Sequence, residues 1–212
     1  MIGAMLMPVL FGIIFKVGLP TLEGVLGKSF YALYPAIDMI LSMLAPTLTS
    51  VAFATVMLEE IDDKIATFYC VTPFGKSGYF ITRIGIPIVV SSIANFIILS
   101  IFSLMERSPA MTFTLIVMGA FQAVMVSFIV VALSANKVEG MTVARLATTM
   151  LITMFFPLFI HGWLQYTAAI IPAFWMGKAL HTQQPLYVLI SVVESVVWIW
   201  ILAKRVMKKL EV

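Results

Sequence analysis

Titratable and aromatic side chains concentrate in one polar segment, residues 59–83, of a chain that is otherwise almost continuously apolar. The residues in this segment that could make specific polar or aromatic contacts are Glu59, Glu60, Asp62, Asp63, Lys64, Phe68, Tyr69, Thr72, Pro73, Lys76 and Arg83. In an otherwise apolar protein, a single long polar loop of this kind serves to contact a partner in the aqueous phase. The chemistry predicted for the segment is therefore recognition rather than catalysis.

Motifs for catalysis, nucleotide binding and metal binding are absent from the sequence. Gly75-Lys76-Ser77 is similar to the end of a phosphate-binding P-loop, but the glycine required five positions earlier is Cys70, and no buried strand precedes it. His161 and His181 lack the spacing of a metal-binding pair, and no HExxH or Gly-x-Ser-x-Gly sequence occurs. No repeated basic and aromatic face for nucleic acid is present. We therefore predict a non-enzymatic chain with no cofactor, no metal and no nucleic-acid partner.

The composition is that of an integral membrane protein. The 212 residues are 62% hydrophobic and only 11% charged, against about 25% charged in soluble domains. A helix needs about 20 apolar residues to cross a hydrocarbon core of about 30 Å. The apolar runs lack the alternation of a barrel strand, so the sequence predicts an all-α integral membrane protein with a single transmembrane domain over residues 1–212.

Six transmembrane helices are predicted at residues 2–17, 34–58, 79–104, 111–134, 142–163 and 186–203. Residues 164–185 are too apolar for an ordinary loop. Pro172 near the middle and Gly177 beyond it favour two short helices separated by a break. No basic leader precedes the first apolar run, so we expect a retained first helix rather than a cleaved signal peptide.

Lysine and arginine are distributed unevenly between the two predicted sides. If residues 59–83 are cytoplasmic, nine of the thirteen basic residues lie inside and four lie outside. Cytoplasmic segments carry the excess of basic residues in membrane proteins. The sequence therefore predicts a multi-pass protein of the plasma membrane with both termini in the cytoplasm.

Carboxylates inside predicted spans are few, and they are costly in lipid, which makes them functional candidates. Asp38 is expected near the outer end of the second span, at the interface. Glu194 is expected midway along the sixth span, beside Ser191 and Ser195. Two interpretations of Glu194 stay open: a contact for a cationic substrate or a proton, and a protonated or hydrogen-bonded carboxyl with a structural role.

Several motifs, in chain order, resemble ABC-2 type transporter permeases. The stretch Leu58-Glu59-Glu60-x-Asp62-x-Lys64, followed by Val71-Thr72-Pro73, resembles the first cytoplasmic loop of that family. Asn136-Lys137-Val138-Glu139-Gly140 resembles the turn between its fourth and fifth spans, and Ile171-Pro172-Ala173-Phe174-Trp175 resembles the segment before its last span. The likeness is greatest to small bacterial and archaeal permeases of drug, quinolone or antibiotic exporters.

The resemblance implies a permease that pairs with a second permease copy and with a dimer of separate ABC ATPase subunits, which bind ATP and Mg. A short cytoplasmic coupling helix of about residues 61–71, within the loop 59–78, would dock on the ATPase. The implied ATPase-coupling residues are Glu59, Glu60, Asp62, Lys64, Phe68, Tyr69, Thr72 and Pro73. The acidic residues would lie near the start of the helix, where its dipole favours negative charge. Burial of the apolar side chains in the membrane interface is the alternative.

The resemblance also implies where a substrate would pass. The first and fifth spans line the interface between copies in similar permeases, so the candidate path residues are Gly12, Thr149, Thr153 and Phe156, together with Glu194. Residues 164–185 would form a re-entrant helical hairpin at the outer side. Pro172, Phe174 and Trp175 are the candidates for an outer gate, and a lid without a gating role is the alternative.

Two other classes of function stay open. An ion-coupled secondary transporter requires paired intramembrane charges and inverted repeats, and neither is clear in the sequence. A non-transporting membrane immunity or assembly factor would have no ATPase partner. The predicted function is export of a small amphipathic substrate (a drug, a peptide or a lipid-like molecule) by a chain surrounded by membrane lipid.

Overall fold

The computed structural model describes residues 2–71 and 75–209, and within them it is helical with no strand. The α-helices are α1 (Ile2–Leu26), α2 (Tyr34–Asp62), α3 (Ile65–Val71), α4 (Gly75–Phe102), α5 (Pro109–Leu133), α6 (Lys137–Thr149), α7 (Phe156–Phe159), α8 (Pro172–Thr182) and α9 (Pro185–Lys209). Short 3-10 helices occupy Tyr31–Leu33, Met150–Phe155 and Trp163–Ala168. The predicted all-α class is confirmed.

Six helical stretches are long and apolar enough to cross a membrane, as predicted: Leu6–Leu26, Tyr34–Asp62, Ile81–Phe102, Pro109–Leu133, Lys137–Phe159 and Pro185–Lys209. The stretches of α2 and α5 are 56% and 67% buried inside the protein, against 6% for α1. The two helices α2 and α5 therefore form the centre of the bundle, and α1 lies at its edge.

The bundle has two ends that differ in their connections. We call the end that carries α3, between α2 and α4, the α3 end, and the end that carries the α4–α5 connection the Arg107 end. At the α3 end, a buried apolar cluster joins α2, α3, α5 and α9 through Leu58, Ala66, Val126 and Val206. Because residues from four helices meet there, α3 is packed against the bundle rather than extending away from it.

The first helix does not end at residue 17, where the predicted span ends, because Pro20 is accommodated inside α1. The Thr21 hydroxyl donates to the carbonyls of Val17 and Gly18, at 3.0 and 2.7 Å. The Lys16 ammonium donates to the carbonyl of Ile101, next to the last residue of α4. Much of the helix after Lys16 therefore extends past the level at which α4 ends.

The fifth candidate span is not one continuous α-helix. It consists of α6, the 3-10 helix Met150–Phe155 and α7. The break faces α8, where Gly177 lies so close that a Cβ atom on it would stand 1.9 Å from the carbonyl oxygen of Met154. A methionine-rich cluster fills the surrounding space and contains Met39, Met43, Met118, Met154 and Met176.

Residues 163–182 form two short helices with a break between them, as Pro172 and Gly177 predicted. The Trp198 indole donates to the carbonyl of Ile170 at 3.0 Å. Trp198 is thirteen residues beyond Pro185, the first residue of α9, which is about 20 Å at 1.5 Å per residue. The break therefore lies about 20 Å along α9 from the Arg107 end, where α8 ends, and it is at the bundle surface, since Ile170 is 69% exposed. Membrane re-entry of this hairpin stays a prediction.

The close approach of α8 predicts that Gly177→Ala destabilises the protein, by about 3 kcal/mol as an overpacked core site does. The new methyl group would meet backbone, which cannot rotate away as a side chain can. Gly85→Ala is the matched control, since nothing lies within 4 Å of a Cβ atom at that position of α4. Thermal unfolding of the two purified variants in detergent would measure the difference, and equal melting temperatures would contradict the packing argument.

Candidate functional site

The segment between α2 and α4 turns sharply before it forms α3. At the end of α2, the Asp63 amide donates to the Glu59 carbonyl at 2.9 Å. Lys64 then adopts a left-handed backbone conformation with φ of 59°, which a non-glycine residue takes up mainly in turns. This turn ends α2 at Asp62 and allows a new helix to start at Ile65 in another direction.

The helix α3 presents apolar side chains to its surroundings. Phe68 is 73% exposed, and Ile65 and Tyr69 are exposed as well, whereas Ala66 is buried. The Tyr69 ring stacks on the ring of Tyr79 in α4, with the centroids 5.9 Å apart. We call Ile65, Phe68 and Tyr69 the α3 surface. Its three large side chains form an exposed apolar patch at a polar end of the bundle.

Glu60 fixes the position of α4 beside α2. Its carboxylate accepts a hydrogen bond from the Tyr79 hydroxyl at 2.9 Å and forms an ion pair with the Arg83 guanidinium. The Arg83 guanidinium also lies over the Tyr79 ring, 5.7 Å from its centroid. Because Tyr79 also contacts Tyr69, this cluster connects the α3 surface to both neighbouring spans.

Lys137 connects the α5–α6 turn to the same end of α2. Its ammonium pairs with Glu59 at 2.8 Å, and its amide donates to Asp62 at 2.8 Å. The turn is itself ordered, because the Asn136 side chain accepts from the Glu139 amide at 2.9 Å and so caps α6. The acidic residues at the end of α2 and the Asn-Lys-x-Glu motif are far apart in the sequence, but they contact each other in the fold.

The predicted short helix in this loop is present, but it begins at Ile65 rather than at about residue 61, and the prediction that the acidic residues lie near its start is wrong. The acidic residues belong to the last turn of α2, which runs to Asp62, and the separate short helix begins at Ile65. A helix C-terminus disfavours negative charge, and the cationic partners described above offset that cost. The predicted stop at Thr72 and Pro73 lies outside the described residues.

A buried carboxylate holds the Arg107 end together. Asp38 of α2 is fully buried. It accepts from the amides of Leu104 and Met105 at 2.9 and 3.1 Å, and from the Ser103 hydroxyl at 3.1 Å. Its fourth partner is the Arg107 guanidinium, at 2.5 Å. Burial lowers the pKa of Arg107, and the charge of Asp38 opposes that shift.

The Asp38–Arg107 pair was missed by the sequence analysis, which expected Asp38 at the interface and left it unpaired. The available signal was a pair of opposite charges at the same predicted end of the bundle. That signal is weak, because a position near a span end is equally compatible with exposure to water.

Lys178 is buried among aromatic rings in the predicted outer-gate region, with an exposure of 6%. Its ammonium donates to the Tyr166 hydroxyl and lies 3.9 Å from the centroid of that ring and 5.0 Å from the centroid of Tyr187. The rings of the predicted gate residues Phe174 and Trp175 lie beside the ammonium group, in edge-to-face contact with their centroids 5.0 Å apart. Among the described residues no carboxylate pairs with Lys178, so the rings and the hydroxyl provide its stabilisation. Pro172, the third predicted gate residue, is the first residue of α8.

The predicted path residues lie on three separate parts of the chain: Gly12 on α1, Thr149, Thr153 and Phe156 along the fifth candidate span, and Glu194 on α9. Gly12 is buried against α4 of its own chain, since a Cβ atom there would lie 2.6 Å from the Phe102 ring. Thr153 is buried in the 3-10 helix, Thr149 is exposed, and Phe156 is half-buried. Gly12 therefore packs against a helix of its own chain. The sequence had placed it at an interface between copies.

Glu194 lies on α9, partly buried, and its Oε2 atom has no hydrogen-bond partner among the described residues. The hydroxyls of the two nearby serines donate elsewhere. The Ser191 hydroxyl donates to the Pro172 carbonyl at 3.4 Å, and the Ser195 hydroxyl donates to the Ser191 carbonyl at 2.7 Å. Glu194 is thus the predicted path residue whose polar group is left without a partner.

Polar contacts at the two ends and six long apolar helices between them define a multi-pass α-helical membrane protein. In the part of the chain that the structure describes, no group of three or more His, Cys, Asp or Glu side chains is placed to hold a metal ion.

Comparison with known proteins assigns this membrane protein to a family. The model of a family described as "Fluoroquinolones export permease protein Rv2686c-like" matches residues 1–203, and the chain belongs to that family. The match confirms the resemblance to ABC-type drug-export permeases that the sequence motifs indicated. Searches of curated proteins and of solved structures found no match to the chain.

The buried ion pair predicts that Asp38→Asn lowers the stability by about 3–5 kcal/mol, because it leaves a buried guanidinium without its anion. Asp63→Asn is the matched control, since Asp63 is exposed. The melting temperature and the monodispersity of each variant in detergent would show the effect. An Asp38→Asn protein as stable as the control would mean that Arg107 finds an alternative partner.

Proposed function

We propose that this chain is the membrane-spanning permease subunit of an ABC exporter, which moves a small amphipathic substrate out of the cell with ATP hydrolysed by a separate ATPase subunit. Membership of an export permease family supports the transport role. The name of the family gives fluoroquinolones, which are amphipathic aromatic drugs, as the substrate class to test first. The observation that carries the ATPase partnership is the α3 surface.

The α3 surface has the properties of a docking site. Phe68 is more exposed than Ile65 or Tyr69, and together they place apolar area at a polar end of the bundle. A partner groove that covers these side chains would recover the free energy of burying them, about 1.5–3 kcal/mol for each large side chain. Aromatic residues of this kind are typical anchors of protein interfaces.

The contacts behind the α3 surface would pass its movement to several spans. Tyr79 and Arg83 connect Glu60 to α4, and Lys137 connects the end of α2 to the turn before α6. We propose that the coupling set is Glu59, Glu60, Asp62, Lys64, Phe68 and Tyr69, with the α3 end in the cytoplasm. ATP binding would close the two ATPases and shift the population of the spans between inward-facing and outward-facing states.

The transport unit in this proposal contains two permease copies. A single chain of six spans is small for enclosing a channel, and α1 exposes most of its apolar surface. The path would run between the copies, and Phe174 and Trp175, held beside Lys178, would form the outer gate together with Pro172. The hydrogen bond from the Trp198 indole to the Ile170 carbonyl would couple a movement of the hairpin to α9.

Glu194 favours a second candidate function, which is transport coupled to protons. Its carboxyl has an unpartnered oxygen within a predicted span, and intramembrane carboxylates commonly carry protons or contact cations. In this alternative, an ion gradient rather than ATP drives export.

The docking proposal predicts that Phe68→Ala combined with Tyr69→Ala uncouples export from ATP hydrolysis while leaving membrane insertion intact. Loss of the apolar anchors would weaken ATPase docking by at least about tenfold, since each anchor contributes more than about 1 kcal/mol. Co-purification with the ATPase and drug uptake into inverted vesicles would measure docking and transport. Phe113→Ala is the control, because Phe113 is similarly exposed on α5 toward the opposite end. Undiminished transport by the double variant would rule out this surface as the docking site.

The two candidate functions differ in what Glu194→Gln would do. If ATP drives export, the variant retains ATP-dependent uptake of a fluoroquinolone into inverted vesicles. If protons drive export, uptake depends on a pH gradient, and Glu194→Gln abolishes that dependence because an amide does not titrate. Ser195→Ala is the control, since the Ser195 hydroxyl bonds only within α9.

A further inference from the structure

The last turns of α9 carry a cluster of basic side chains at the α3 end. Residues 204–212 include Lys204, Arg205, Lys208 and Lys209 against the single acidic side chain of Glu211. The helix is 25 residues long, which is about 37 Å at 1.5 Å per residue, whereas a hydrocarbon core is about 30 Å thick. Because the charged residues are at this end of the helix, the excess of about 7 Å lies among the lipid headgroups.

The packing of α9 fixes which side of the helix faces the protein. Leu202 and Val206 are buried in the apolar cluster at the α3 end. The Lys209 ammonium donates to the carbonyl of Val131 at 3.2 Å and to the carbonyl of Ser134, just after the last residue of α5. Lys209 is therefore committed to the protein, and the opposite side of α9 faces away from the bundle.

Lys204 and Lys208 continue an exposed apolar stripe along that outer side. Residues three or four apart share one face of a helix. Val193, Val197 and Trp200 are exposed on this face, and Lys204 and Lys208 follow Trp200 at intervals of four and are exposed as well. Only 17% of this span is buried inside the protein, so the stripe faces lipid tails. The two ammonium groups therefore lie where the tails give way to headgroups.

Trp200 lies at the same boundary. The Lys204 ammonium is 3.4 Å from the centroid of the Trp200 ring. The indoles of Trp175 and Trp198 donate to backbone carbonyls, whereas the indole of Trp200 has no acceptor among the described residues. In that part of the chain, neither Lys204 nor Lys208 forms an ion pair. The surface thus combines two free cations, a free indole donor and an apolar wall.

An anionic phospholipid matches each of these features. Its phosphate accepts from ammonium and indole groups, and its acyl chains cover the apolar stripe. Basic clusters that directly follow a membrane span attract anionic lipid, whereas a zwitterionic lipid would bring a second positive charge against the lysines. An acidic protein segment could pair with the ammonium groups, but it would have to displace lipid from the stripe beside them.

We propose that the end of α9 is a binding site for an anionic phospholipid. The phosphate contacts Lys204 and Lys208, and the acyl chains lie along Val193 and Val197. The inference goes beyond the proposed export function, since it requires neither an ATPase nor a transported substrate.

Quenching of tryptophan fluorescence tests the proposal at the site itself. The full chain is placed in phosphatidylcholine nanodiscs that contain a small fraction of brominated phosphatidylglycerol or of brominated phosphatidylcholine. Bromine quenches only nearby indoles, so the difference between the wild type and Trp200→Phe isolates the signal of Trp200. This signal is expected to give an affinity for phosphatidylglycerol at least about fivefold above that for phosphatidylcholine, the factor that one lysine at an anionic surface supplies.

Charge variants identify the residues responsible. Lys204→Gln combined with Lys208→Gln should abolish the preference, because an amide carries no charge for the phosphate. Lys204→Arg combined with Lys208→Arg keeps both charges and should retain the preference. Lys28→Gln combined with Arg145→Gln removes the same charge from exposed positions on other parts of the chain and should also retain it. Equal melting temperatures would show that the glutamine variants are folded.

Equal quenching of Trp200 by the two brominated lipids would overturn the proposal, as would a preference that persists in the Lys204→Gln, Lys208→Gln protein. Loss of the preference on addition of inorganic phosphate would also overturn it, because the site would then take free phosphate rather than a lipid. If the wild type shows no lipid preference and the double glutamine variant no longer co-purifies with the ATPase, the surface belongs to an acidic protein partner instead.

Discussion

Pairing of the charges at the two ends of α2 is the constraint on which the rest of the bundle depends. Lipid tails are as apolar as the side chains, so there is little hydrophobic driving force between the helices, and close packing and polar contacts hold them together. The polar contacts are directional and therefore add position to what the packing provides. Asp38 at one end binds the α4–α5 connection, and Glu60 at the other binds α4 itself. Any slide of α4 along α2 would break both contacts at once.

The same logic explains why the α3 end suits a role in transmission. Glu59, Glu60 and Asp62 lie within one turn of α2, yet they bind groups from α4 and from the start of α6. In the proposed role, a force on α3 would pass through the Tyr69–Tyr79 ring stack to this set of polar contacts, and so to α2, α4 and the turn before α6. These contacts are stiffer and more directional than the apolar packing of the bundle interior, so they give a movement at the surface a defined direction.

The features that could be predicted from the sequence are those set by local pattern. Apolar length predicted the six candidate spans, and Pro172 predicted the broken segment before the last one. The end of α2 was misplaced because the partners that allow it to extend to Asp62, such as Lys137, are more than seventy residues away. The partners of Asp38 and the rings around Lys178 are likewise distant or ambiguous in a single sequence, so periodicity alone could not assign them.

The methionine-rich cluster around α8 has a chemical consequence. Thioether side chains such as Met154 and Met176 are flexible enough to repack when a neighbouring helix shifts, which makes this junction tolerant of movement. Both side chains are buried, and a sulfoxide on either would put a polar group into an apolar cluster close to where Gly177 meets the backbone. A junction that is soft enough to move is therefore also one that a single added oxygen atom would disrupt.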